Sequence, residues 1–171
     1  MEKIIRGKNV SIKLADANDI NKVSPLIAKF RVELKAFNCH TTKEDIDAAR
    51  KEFAFYINEK NPVYFCEMDG EYVGYLVCRI EKPTVWVESL FVLSEYRRLG
   101  IASALFDIAE ETATFNGGDT LYNYVHPNND AMISFLRSKG YNTLNLIEIR
   151  KQREGESTNE IITIRNNTFN Y

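Results

Sequence analysis

The sequence predicts a mixed α/β protein, and three observations carry that expectation. Short β-rich or alternating stretches are interleaved with stretches whose apolar residues recur every three or four positions. At 171 residues, with 44% hydrophobic and 27% charged content, the chain has the size and balance of one globular unit with a substantial core. No repeat, low-complexity block or linker-like stretch divides it, so residues 1–171 are expected to form a single domain.

The elements follow in order. "VSIKL", residues 10–14, alternates as a short strand. Ile20, Val23, Ile27, Phe30, Leu34 and Phe37 share a helical face, with Pro25 either kinking that helix or marking a start after Ser24. "HTTKEDIDAARKEFAFYIN" opens with Thr41 and Glu44 at capping-box spacing and carries Ile46, Phe53 and Ile57 as its apolar stripe. "PVYFCEM" and "YVGYLVCRI" flank "DGE" as a hairpin. "TVWVESLFVL", residues 84–93, is a third strand expected to place Trp86, Glu88, Leu90 and Val92 on one face and Val85, Val87, Ser89 and Phe91 on the other. Ile101, Leu105, Ile108 and Thr112 lie on one face of the next helix, which "NGG" at 116–118 should end. "TLYNYV" reads as a strand, "NDAMISFLRSKGY" as a helix ending at Gly140, and "NTLNLIEIR" and "EIITIRN" as two closing strands around a polar loop.

Charge and composition narrow the functions. A net charge of −2 and a pI near 5.8 supply no broad cationic surface, so nucleic acid is not an expected partner. "MEKIIRGKNVSIKL" has no long uncharged apolar run, so no membrane partner is expected and the location reads as cytoplasmic. Cys39, Cys66 and Cys78 form no CxxC pair and read as buried thiols, and His40 and His126 lack paired ligand spacing, so no metal is expected.

The chemistry concentrates at "EYRRLGIASAL", residues 95–105. Gly100 and Ala102 let a ligand approach the backbone, and a helix start presents unpaired N–H groups with the positive end of the dipole, which suits phosphate. Arg97 and Arg98 offer charge-assisted contacts there. On these grounds alone an ordinary helix entry is an equal reading. The chain has neither a GxxxxGK[ST] run nor three glycines in dinucleotide spacing.

In its motifs the chain resembles the GCN5-related N-acetyltransferases (GNATs). That family has a turn written [QR]xxGx[GA], met here by Arg97, Gly100 and Ala102, and a later conserved region matched by "HPNNDAMISFLRSKGY". The element order agrees over almost the whole chain. The resemblance implies a mixed, mostly antiparallel sheet of about seven strands flanked by about four helices, with acetyl-CoA as cosubstrate and an amine as acceptor. Backbone groups of Phe91 and Val92 would then pair with the pantetheine arm, and those of Arg98, Leu99, Gly100, Ile101, Ala102 and Ser103 would receive the pyrophosphate. Asn129 would touch the far side of the arm, or serve simply as a helix N-cap.

Transfer to an amine needs a proton acceptor, and Glu88, on the strand leading to the turn, is the candidate general base; an ion pair or a substrate-binding role is the competing reading. The sequence departs from the family where a tyrosine often protonates the departing thiolate: Leu136 stands there and cannot donate. Tyr124 or water is the alternative acid. Met132 replaces a common alanine on the same helix. Acceptor choice points to the first two helices and Trp86, with Glu33 as a further contact, while Phe30 and Phe37 read as core and His40 as surface. A non-catalytic acetyl-CoA-binding module is the second functional reading, and the closing strands suggest a homodimer.

Overall fold

A computed structural model describes residues 1–5, 7–37, 40–155, 158 and 160–171. They fall into two compact units, residues 1–133 and 134–171.

In the first unit six strands form one sheet in sequence order: β1 (Glu2–Ile5), β2 (Lys8–Leu14), β3 (Val63–Met68), β4 (Glu71–Glu81), β5 (Thr84–Val92) and β6 (Leu121–Asn123). Neighbours from β1 to β5 are antiparallel, and β5 pairs with β6 in parallel. The mixed, mostly antiparallel sheet is therefore as expected, with β1 as an additional edge strand.

Two helices precede β3. α1 (Ile20–Ala36) runs through Pro25, after a 3₁₀ turn at Ala17–Asp19, so the later start after Ser24 is not taken. α2 (Ile46–Asn58) begins later than the Thr41/Glu44 spacing suggests: Asp45 is the N-cap, its carboxylate accepting from the Ala48 amide at 2.9 Å. A carboxylate one position before the apolar stripe outcompetes the more distant Thr41. Val23 and Ile27 of α1, and Phe53 and Tyr56 of α2, pack on Phe65, Tyr75, Val77 and Phe91 of the sheet. Leu76 and Cys78, pointing the opposite way along β4, are equally buried. α3 (Ile101–Phe115) packs on β4 and β5 and covers them, burying Ile101, Leu105, Phe106 and Ile108. Each such fully buried aliphatic or aromatic side chain contributes about 1.5–3 kcal/mol.

The β4–β5 register slips at Glu88. Ser89 lies opposite Val77 and Val87 opposite Cys78, so Glu88 is an extra residue, a β-bulge. The strict alternation expected for residues 84–93 is thereby inverted halfway. Phe91 and Ser89 share the α1/α2 face with Trp86, opposite Arg79, while Val85 and Val87 face α3 with Leu90 and Val92.

α4 (Asp130–Ser138) leads into the second unit. There, residues 142–150 form no strand, contrary to their alternation; instead β7 (Ile161–Ile164) and β8 (Asn167–Asn170) make a two-stranded antiparallel sheet of their own. The expected seven-stranded sheet is thus six strands plus a separate pair.

Candidate active site

The cradle at the start of α3 is made by backbone conformation. After β5 the chain makes a 3₁₀ turn at Ser94–Tyr96, Arg98 adopts a left-handed φ of +64°, and Gly100 follows at φ +97° as the residue before the helix. Glycine takes that conformation without the Cβ penalty. No side chain caps the helix, so the first-turn amides of Ile101, Ala102 and Ser103, which have no carbonyl a turn earlier, are left to a ligand or solvent. Ala102 and Ser103 are half-buried and small, and Leu99 is half-buried beside them.

A second opening adjoins the first. β6 pairs with β5 only from Val85 to Val87, yet β5 continues to Val92. β6 ends at Asn123, opposite Val87, so among the described strands none pairs with that edge of β5 at Phe91 and Val92, whose backbone can take up an extended ligand. On its other edge β5 stays paired with β4 as far as Gly74, where a Cβ would sit 2.7 Å from the Phe91 carbonyl oxygen. Glycine at 74 lets β4 stay close to β5 there.

Arg97 locks the turn. Its Nε donates to the Val92 carbonyl at 2.8 Å, and its terminal nitrogen donates to both Glu33 carboxylate oxygens at 2.7 Å. Glu33, expected as an acceptor contact, is thus committed to joining α1 to the turn. Arg98 is exposed and has no charged partner among the described residues.

Glu88 carries a side chain that is 32% exposed, so solvent and substrate can reach it. Arg79 Nε lies 3.2 Å from its carboxylate but without hydrogen-bond geometry, whereas Arg79 donates to Glu81 at 2.6 Å. The directed bond goes to Glu81, and Glu88 keeps its acceptor positions. Trp86 lies beneath the Arg79 guanidinium, 5.3 Å from ring centroid to carbon, and against Tyr122 and Tyr124. Tyr124, expected within a strand, follows the end of β6 and stacks on Trp86 at 4.6 Å. Arg79 and Tyr122 escaped the sequence reading; counting the β4–β5 hairpin outward from its loop, which pairs Arg79 with Trp86, was the available signal.

Asn129 caps α4: its side-chain oxygen accepts from the Met132 amide at 3.0 Å, leaving its amide nitrogen available. Just before it, His126 stacks on Phe37 and Asn128 donates to the Phe37 carbonyl. Burial pulls the His126 pKa below its usual value. Phe30 packs on Tyr75 and Phe91, as core. Leu136 is buried and Met132 half-buried. Cys66 and Cys78 are buried as expected, and Cys39 lies outside the described residues. No described helix is long and apolar enough to cross a membrane, and no three His, Cys, Asp or Glu among the described residues gather as a metal site.

Comparison with known proteins agrees with this fold. Solved structures with the same fold include a possible acetyltransferase from Clostridium difficile 630 (TM-score 0.68, 16% identity, 84% of this chain and 97% of that one). Another is an aminoglycoside N-acetyltransferase in complex with CoA (TM-score 0.69, 16% identity, 86% of this chain and 97% of that one). By sequence, the chain is 33% identical over 89 residues to tyramine N-feruloyltransferase 4/11 of Nicotiana tabacum, which is 52% of this chain and 39% of that protein. It is 30% identical over 110 residues to an N-alpha-acetyltransferase of Sulfurisphaera tokodaii, covering 56% and 65% of the two. Each curated relative is therefore matched over less than two thirds of its length. The model of the acetyltransferase (GNAT) family matches residues 30–141, a range that takes in the bulge, the turn and α4, and the chain belongs to that family.

Proposed function

We propose that this protein transfers an acetyl group from acetyl-CoA directly to a primary amine of a small molecule, peptide or protein. The observation that carries this reading is the succession of three features along β5 and the turn that follows it: a proton acceptor at the Glu88 bulge, an open backbone edge at Phe91 and Val92, and an uncapped helix start at Gly100. The names of the two sequence relatives both describe acyl transfer to nitrogen, which supports it.

Acetyl-CoA supplies a thioester carbonyl and a thiolate leaving group. The amides of Ile101, Ala102 and Ser103 hold its pyrophosphate at the positive end of α3, with Arg98 and Leu99 lining the approach. The edge of β5 pairs with its pantetheine arm, and the Asn129 amide meets that arm from the other side. Glu88 takes a proton from the acceptor ammonium, so that the nitrogen lone pair attacks the thioester carbon as the C–S bond breaks. Leu136 has no proton to give the thiolate. Tyr124 is the side-chain candidate, and solvent suffices because a thiol near the ordinary Cys pKa of about 8.5 leaves readily.

A panel of amines assayed for free-thiol release tests the reading. Thiol release with at least one amine is expected. Tight acetyl-CoA binding with no release across the panel would instead make the protein a binding module.

A further inference from the structure

The core beneath the bulge bears on how the base is held. We infer that Ser89 is a positioning residue for Glu88: its hydroxyl, set among those of Tyr56 and Tyr75, pins the register of the bulge and so the direction of the carboxylate. This rests on the acetyl-transfer reading above, with Glu88 as the base.

Polar atoms without partners gather at this place. Seven buried side-chain nitrogen or oxygen atoms among the described residues have no hydrogen-bond partner, and five of them, on Tyr75, Arg79, Trp86, Ser89 and Asn123, belong to the strands around Glu88. The surroundings of the bulge, and not the core at large, are therefore where polarity is kept against stability. Ser89 is 2% exposed and Tyr75 fully buried. Alanine at 89 and phenylalanine at 75 would pack the same space with no hydroxyl to leave unsatisfied, so packing accounts for neither hydroxyl.

Geometry ties this pair to Glu88. Ser89 lies opposite Val77, and Tyr75, opposite Phe91, is its diagonal neighbour on the α1/α2 face. Glu88 meets Arg79, which shares that face with Tyr75 and Val77 by alternation, so the bulge turns Glu88 and Ser89 to the same side. Beside them Tyr56 is a fixed post. Its phenol donates to Glu52 at 2.6 Å and accepts from Arg31 at 3.0 Å, while Arg31 Nε donates to both Glu52 oxygens at 3.0 and 2.8 Å, joining α1 to α2. Burial raises the pKa of Tyr56 and of Tyr75, and the Ser89 hydroxyl, close to both phenols, opposes that shift.

A bulged residue is unpaired in the ladder, and Arg79 gives Glu88 no directed hydrogen bond, so its placement depends on where the bulge forms. Were the bulge to form beyond Ser89, Glu88 would lie opposite Val77 in the core and Ser89 opposite Leu76 on the aliphatic face under α3, away from the phenols. Both residues favour the observed register, and alanine at 89 removes the serine's share of that preference.

Ser24 supplies the control: it is a second fully buried serine with an unpartnered hydroxyl, on α1 and roughly 10 Å along the helix from Arg31. Ser89→Ala and Ser24→Ala make the same chemical change, and both are read by thermal unfolding, CoA titration and thiol release with an amine that the parent protein acetylates. Ser89→Ala should cut kcat at least about tenfold, since misplacing a reacting group by an ångström costs up to about a hundredfold. Its melting midpoint should be no lower than the parent's, with KM and CoA affinity within about twofold, and Ser24→Ala should leave kcat within about twofold. Tyr75→Phe should lower kcat in the same direction with its fold intact. In a Glu88→Gln background Ser89→Ala should lose less than about a further twofold, because it acts only through the carboxylate. Unchanged kcat in Ser89→Ala, an equal loss in Ser24→Ala, a lowered midpoint, or an undiminished loss in the Glu88→Gln background would each overturn the inference while leaving acetyl transfer intact. A parent protein that releases no thiol with any amine would overturn both.

Discussion

Arg97 and Glu33 meet through two 2.7 Å contacts, and the same guanidinium holds the Val92 carbonyl, so one arginine ties α1 to both the end of β5 and the turn before α3. Both side chains are more than 40% exposed, and an ion pair of that kind is worth less than about 1 kcal/mol to the fold. Its larger effect is on the position of the turn. Arg97→Ala should therefore shift the melting temperature by only a few degrees but weaken CoA binding about tenfold, with Glu33→Ala doing much the same. The double variant should bind CoA no worse than Arg97→Ala alone. Additive losses in calorimetric titrations would show that the two residues act separately.

If the anion cradle is made of backbone, side-chain removal and backbone restriction must differ. Gly100 sits at φ +97°, where any Cβ is strained and stands near the approach to the helix amides. Gly100→Ala should destabilise the protein by about 1 kcal/mol and reduce CoA affinity by more than about tenfold. Arg98→Ala removes only an exposed side chain and should cost less than about threefold. The reverse ranking in a binding titration would move the pyrophosphate contact from the amides to the arginine.

Much of this was legible in the chain. The periodicity of residues 20–37 named a helix, and Gly100 marked the turn before the next one, because both are local properties of adjacent residues. What escaped was non-local. The bulge at Glu88 is a matter of register between β4 and β5, and alternation within β5 cannot reveal it. The commitment of Glu33 to Arg97 joins residues 64 positions apart. β1 was missed because "EKII" is too short to show a period, and it is fixed by antiparallel pairing with β2.

Residues 142–150 failed the other way. Their alternation has the period of a strand, but a strand needs an edge to pair with. Leu144, Leu146 and Ile149 are 69%, 71% and 67% exposed, and Ile161 in the β7–β8 pair is 70% exposed. We propose that a second copy of the chain covers this surface in solution. Light scattering should give a dimer mass, and Leu144→Lys with Leu146→Lys should return a monomer with an intact fold; a monomeric parent protein at assay concentration would dispose of the dimer.

Alkaline stability offers a test of the core. Burial pushes the Cys66 and Cys78 thiols up to about 12. It also raises Tyr56, which donates to Glu52 at 2.6 Å, and Tyr75. In the unfolded chain these groups ionise near 9.0 and 10.0, so between those values and about 12 the unfolded state has released protons that the folded state retains. Stability is therefore full below about pH 9 and lost as pH rises, by roughly 1.4 kcal/mol per pH unit for each responding group. Guanidinium midpoints should be flat to about pH 8.5 and fall steeply beyond it. In a Cys39→Ser variant a thiol reagent at about pH 8 should label neither remaining cysteine until denaturant is added. A midpoint unchanged to about pH 11 would contradict the burial of these groups.

Glu88 divides the catalytic reading from the structural one. Its contact with Arg79 is an ion pair at 3.2 Å between side chains that are each 32% exposed, so neutralising it should hardly disturb the fold. A general base, by contrast, is worth about 10²–10⁴ in rate. Glu88→Gln keeps the shape, removes the proton acceptor, and leaves the CoA cradle untouched. Its kcat should fall at least about a hundredfold with CoA affinity within about twofold of the parent protein. Glu88→Asp retains the charge but withdraws it by one methylene, and its loss should lie between the two. Steady-state rates and CoA titrations on the same preparations decide the matter. Unchanged turnover in Glu88→Gln across the pH range would make Glu88 merely the partner of Arg79 and assign proton removal to solvent.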